Sequence, residues 1–89
     1  PTKKGRNKRI KNLVDEKRSI VIYESPKRIL NLINDLMDFL GEDRKASISR
    51  ELSKIYQENI RGTLKELYDK LENINIKGEF VIVIDGKKK

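Results

Sequence analysis

The sequence predicts an α+β domain, a mixed four- to five-stranded sheet with helices layered on it. Three observations carry this. Two short apolar runs rich in β-branched residues, Ile20–Tyr23 and Phe80–Ile84, read as strands buried near the centre of a sheet. Between them, Ile29, Leu32, Ile33, Leu36, Met37 and Leu40 recur at helical spacing. Lys45–Ser53 alternates instead, placing Ala46, Ile48, Arg50 and Leu52 on one face and Ser47, Ser49, Glu51 and Ser53 on the other.

Residues 1–7 contain no apolar residue beyond Pro1 and predict an extended arm. Ile10, Leu13 and Val14 then suggest a short helix from Lys8 to Lys17 with a narrow apolar stripe. After the first strand, Ser25 is placed to cap a helix and Pro26 to occupy its first turn without losing a needed hydrogen bond. Lys27, Arg28, Asn31, Asn34, Asp35 and Asp38 form that helix's polar side, and Gly41 ends it. Tyr56, Glu58 and Ile60 continue the alternation after Ser53, as a hairpin or a bent strand. Thr63 and Glu66 have the spacing of a capping box, and Leu64, Leu67, Tyr68 and Leu71 give the following helix its buried face. Gly78 leads into the last strand.

At 89 residues the chain is one domain, divided by composition into a basic arm with a short helix (1–18), a sheet and helix body (19–86) and a basic tail (87–89). The net charge of +7 is located at the ends, with a balance of +6 in residues 1–18, −2 in residues 19–86 and +3 in residues 87–89. An arm holding Lys3, Lys4, Arg6, Lys8, Arg9 and Lys11 suits phosphates, with binding that falls roughly 10³-fold or more over a few-fold rise in salt. A solvated tail is the other reading. The chain has neither Cys nor His, so disulfides, Cys or His metal sites and His-dependent nucleophilic catalysis are excluded within it. No apolar stretch approaches the roughly 20 residues that cross a bilayer, and the expectation is a soluble, cytoplasmic protein. Arg50 falls on the apolar side of its strand, where a charge needs a partner, and Glu24, Glu51 and Glu58 are the candidates.

Tyr23-Glu24-Ser25-Pro26-Lys27-Arg28, Ser49-Arg50-Glu51-Leu52-Ser53-Lys54, Glu58, Arg61-Gly62-Thr63-Leu64, Glu66-Leu67, Lys77-Gly78-Glu79-Phe80 and Gly86 occur in an order and spacing that resemble one family. It is the C-terminal half of ribosomal RNA small subunit methyltransferase I, in the tetrapyrrole methylase superfamily. Pro1-Thr2-Lys3-Lys4-Gly5 is similar to the family's junction between its halves. Ser53 stands where threonine is usual, and Lys27 where histidine is common.

The resemblance implies the C-terminal wall of a two-lobed enzyme, inactive alone, whose missing N-terminal half carries glycine-rich loops. The implied reaction is methyl transfer from S-adenosylmethionine to the ribose 2′-hydroxyl of a cytidine in 16S ribosomal RNA, in an enzyme that forms homodimers. By position, Tyr23, Glu24, Ala46, Gly78, Glu79 and Phe80 correspond to cofactor contacts, and Lys3, Lys4, Arg6, Arg50 and Lys54 are candidates to hold RNA. The resemblance assigns no catalytic base. It requires the segments after Tyr23, before Ala46 and ahead of Phe80 to converge on one rim. A free-standing basic RNA-binding module and a tetrapyrrole methylase subdomain are the alternatives.

Overall fold

The computed structural model describes residues 8–53, 56–74 and 77–88. Among them, a helical stretch at residues 8–11 (α1) is followed by β1 (Ile20–Glu24), α2 (Ile29–Leu40), β2 (Lys45–Ser53), β3 (Tyr56–Thr63), α3 (Leu64–Glu72) and β4 (Glu79–Ile84). The strands form a four-stranded sheet in the order β1-β4-β2-β3. This is the α+β class expected, with two differences of arrangement.

The sheet is antiparallel at every pairing of these strands. β1 and β2 run the same way across the α2 crossover, but β4 lies between them and opposes both. Secondly, β4 is central as expected while β1 is an edge strand. Its apolar run reflects one buried face, Ile20 and Ile22, and one open face on which Val21 is 54% and Tyr23 77% exposed. The run therefore reports apolar content and not sheet position.

Cross-strand register builds the core in rows. Ile20, Ile84, Ala46 and Gly62 lie abreast, then Ile22, Ile82, Ile48 and Ile60, then Glu24, Phe80, Arg50 and Glu58. On this face α2 buries Ile29, Leu32, Ile33 and Leu36, and α3 buries Leu64, Leu67 and Leu71, in the same cluster as Ile48, Phe80, Ile82 and Ile84. Ile10 joins it from α1, with Leu13 packed against it. Asp35, expected on the polar side of α2, is buried; it follows Leu32 by three residues, on the flank of the apolar stripe. Among the described residues no helix is long and apolar enough to cross a membrane.

The helix ends differ in what holds them. Residues 26–28 form a turn and α2 starts only at Ile29, so Ser25 does not cap it and Pro26 precedes it. The start of α2 has no side-chain cap; the Glu24 carboxylate accepts from Ser25 N–H at 2.8 Å and from Arg28 Nε at 3.1 Å, which holds the turn before it. Gly41 ends α2 at φ 95°, a conformation that costs glycine little. At α3 the expected capping box is complete, with Thr63 Oγ1 accepting from Glu66 N–H at 3.1 Å and Glu66 Oε1 from Thr63 N–H at 2.9 Å. That bond from Thr63 holds the Glu66 carboxyl below its ordinary value of 4.5. Its stabilisation is fully present above the ordinary carboxylate range and is lost as pH falls through the lowered folded value. Thr63→Ala is expected to cost about 1 kcal/mol in chemical denaturation at neutral pH.

Between β2 and β3 the pairing shifts at Glu51/Ser53, which makes this a hairpin with an irregularity near its tip. Lys3, Lys4, Arg6 and Lys54 lie outside the described residues.

Candidate functional site

Because β1 opposes β4, the end of β1 meets the beginning of β4. Glu24 lies abreast of Phe80 and Tyr23 abreast of Val81, while β2 brings Arg50 to the other side of Phe80 and Glu51 to the other side of Glu79. Gly78, with φ 83°, turns the chain into this corner just before Glu79, a conformation in which a side chain would be strained. The result is a cleft of about 500 Å³ across one end of the sheet, lined by Tyr23, Glu24, Ser25, Pro26 and Arg28 from β1 and the turn after it. Ser49, Arg50, Glu51 and Gln57 line it from the β2–β3 hairpin, and Glu79, Phe80 and Val81 from β4. This is the size range of small-molecule sites.

The walls differ in character. Tyr23, 77% exposed, offers aromatic surface, while Phe80, 1% exposed, is packed beneath the cleft. Glu24, Glu51 and Glu79 bring three carboxylates to the rim, which suits a cationic or hydroxyl-rich ligand. Arg50 is held inside by Glu58, Nη2 to Oε1 at 2.6 Å, with its side chain 10% exposed. Of the three carboxylates considered for Arg50 in the sequence, Glu58 is the one at salt-bridge distance, directly opposite it in register. This pair ties β2 to β3, and Arg50 lines the cleft.

Of the residues expected from sequence, the structure gathers Tyr23, Glu24, Glu79, Phe80 and Arg50 on the cleft, with Gly78 adjacent. Ala46 is not brought to this rim. It is buried at the opposite end of the sheet, abreast of Ile84 and Gly62, four positions along β2 from Arg50 and so about 13 Å away. The required three-way convergence therefore holds for two segments and fails for the third, because β2 and β4 run in opposite directions. Arg28, Ser49 and Gln57 line the cleft without having been singled out. Arg28 was legible as the i+4 partner of Glu24, and Ser49 as the polar side of an alternating strand, where its hydroxyl donates to Asn59 Oδ1 at 2.7 Å.

Relatives share this sequence closely. Ribosomal RNA small subunit methyltransferase I of Thermotoga maritima is 38% identical over 88 residues, 99% of this chain and 39% of that protein. The protein of the same name from Synechocystis is 38% identical over 81 residues, 91% of this chain and 29% of its own length. That from Bacillus subtilis is 36% identical over 84 residues, 94% and 28% respectively. The chain thus spans about a third of the curated relatives it matches. No family model matches it. Among solved structures, a cobalamin biosynthetic enzyme, cobalt precorrin-4 methyltransferase, superposes with a TM-score of 0.65 at 18% identity, over 85% of this chain and 32% of that one, which shows a shared fold. The order of motifs around the cleft and the identity to these relatives across nearly the whole chain agree, and the chain belongs to the ribosomal RNA small subunit methyltransferase I family.

Proposed function

We propose that this chain is the C-terminal wall of the methyl-donor cleft in an S-adenosylmethionine-dependent enzyme that methylates the ribose 2′-hydroxyl of a cytidine in 16S ribosomal RNA, in the cytoplasm. The observation that carries this is the meeting of Tyr23–Glu24 with Glu79–Phe80 in one cleft, in a chain whose relatives are named as ribosomal RNA methyltransferases. The residues present fit the donor. A carboxylate rim complements a sulfonium cation and ribose hydroxyls, Tyr23 presents a ring 77% exposed to an adenine face, and Gly78 permits close backbone approach. When bound, S-adenosylmethionine supplies an electrophilic methyl group.

The chain's own part is to bind and orient. Glu24 is tied to Ser25 and Arg28, and Arg50 to Glu58, so the rim is fixed before any ligand arrives. Fixing the rim in advance reduces the ordering needed on binding, and orientation of reacting groups supplies up to roughly 7–11 kcal/mol of a barrier. The remaining two-thirds of the enzyme, with glycine-rich loops, closes the cleft from the other side. Relatives named for ribosomal RNA favour an RNA substrate over a tetrapyrrole one.

The test is transfer of radiolabelled methyl groups to unmodified small ribosomal subunits by the full-length protein. Label in an alkali-resistant dinucleotide is expected, because a 2′-O-methyl group blocks cleavage at its own phosphodiester. Folded protein that transfers no label would reject the reading.

A further inference from the structure

The two basic ends of the chain, far apart in sequence, are fastened together. Lys87 N–H donates to the Glu16 carbonyl at 2.7 Å, and Lys87 Nζ donates to Asp15 Oδ1 at 2.8 Å. Gly86 packs so tightly here that a Cβ would collide with the backbone carbonyls of Lys17 and Arg18. The acids in the clasp are engaged, Asp15 by Lys87 and Glu16 by Arg18 at 2.8 Å. These partners hold the Asp15 carboxyl below its ordinary value and draw that of Glu16 down to about 2, so both stay ionised at neutral pH.

The clasp lies where β1 begins and β4 ends, the opposite end of the sheet from the cleft. From there a basic track leads back to the cleft. Residues 9–13 run beside the open edge of β1, where Arg9, Ile10 and Leu13 share a groove with Ile20–Glu24 and with Arg28, and Arg28 also lines the cleft. Lys8, Arg9 and Lys11 in the segment that forms this groove, and Lys17, Arg18 and Lys88 in or next to the clasp, are all exposed. β1 is five residues long, so the track extends about 16 Å from the cleft.

We infer that this edge, residues 8–18 clasped to Lys87–Lys88, is a docking surface for the RNA phosphodiester backbone flanking the nucleotide presented to the methyl donor. A phosphate backbone is the polyanion whose regular charge matches a track of separated lysines and arginines on an exposed edge. The inference rests on the RNA methyltransferase reading above for the identity of the nucleic acid. It assigns a positioning role to the chain's basic ends, which the core and the cleft do not use.

The experiment measures binding of the full-length protein to small-subunit ribosomal RNA between about 50 and 200 mM salt. Three double variants each remove two positive charges: Lys8→Gln/Lys11→Gln on the edge, Lys17→Gln/Lys88→Gln across the clasp, and Lys65→Gln/Lys70→Gln on the exposed side of α3. The first two are expected to lower the slope of log affinity against log salt by about 1.5 and to weaken binding roughly tenfold at 150 mM, while the α3 variant changes affinity less than about twofold. Gly86→Ala, which opens the clasp without changing charge, is expected to weaken binding in the same direction. Edge variants that bind like the parent, or an α3 variant that loses as much as they do, would overturn the surface. Edge-dependent binding by a parent that transfers no methyl group would support the surface and reject the methyltransferase reading. Methyl transfer by a parent whose edge variants bind unchanged would do the reverse.

Discussion

Phe80→Ala is expected to destabilise the domain by about 3–5 kcal/mol, measured by chemical denaturation. Phe80 is 1% exposed, sits on the central strand and lies between Glu24 and Arg50 in its row. Truncation removes the largest side chain at the end of the core and leaves a cavity that the flanking strands, both paired to β4, cannot close by moving inward. The same change removes part of the cleft's floor and admits water towards Arg50 and Glu58. Phe80→Leu, which retains most of the volume, is expected to lose no more than about half as much. Equal losses for the two would show that volume at this position does not set the stability.

Glu58→Ala carries the second large effect, about 2–3 kcal/mol. Arg50 is 10% exposed at its side chain, so removing Glu58 takes the 2.6 Å ion pair away from a guanidinium held largely out of water. Glu58 itself is 34% exposed, which keeps the cost below that of a fully buried pair. Replacing both partners, as Arg50→Met/Glu58→Leu, is expected to recover most of the loss, because no largely buried charge is then left without the Glu58 carboxylate. A double variant as unstable as Glu58→Ala alone would mean that packing, and not charge pairing, dominates at this position.

What sequence made legible follows from range. Several local patterns held, although the helix expected over Lys8–Lys17 spans only residues 8–11. The Thr63 and Glu66 spacing gave a capping box, Gly41 gave the end of α2, and alternation put Ala46, Ile48 and Arg50 on one buried face. A charge on an apolar face demands a carboxylate nearby, and Glu58, one of the three carboxylates the sequence offered Arg50, meets it across the hairpin. Strand order was not legible. Nothing local in Ile20–Tyr23 distinguishes an edge strand with one open face from a central one, and nothing in Phe80–Ile84 says that it inserts between β1 and β2. Ala46 was misplaced relative to the cleft for that reason, since reversing one neighbour's direction moves the start of β2 to the far end of the sheet. The α2 start slipped by three residues because residues 26–28 form a turn, in which Arg28 N–H donates to the Ser25 carbonyl at 3.1 Å. The clasp between residues 15–18 and 86–87 is a contact of long range that composition showed only as two separate basic ends.

The central claim is that the end of the sheet bearing Glu24, Glu79 and Phe80 faces the methyl donor. Its most direct test is photolabelling of the full-length protein with radiolabelled S-adenosylmethionine, followed by peptide mapping. Label is predicted in peptides covering residues 23–28 or 77–81. Label within this chain confined to residues 44–48 or 84–88, at the far end of the sheet, or absent from this chain altogether, would contradict the account.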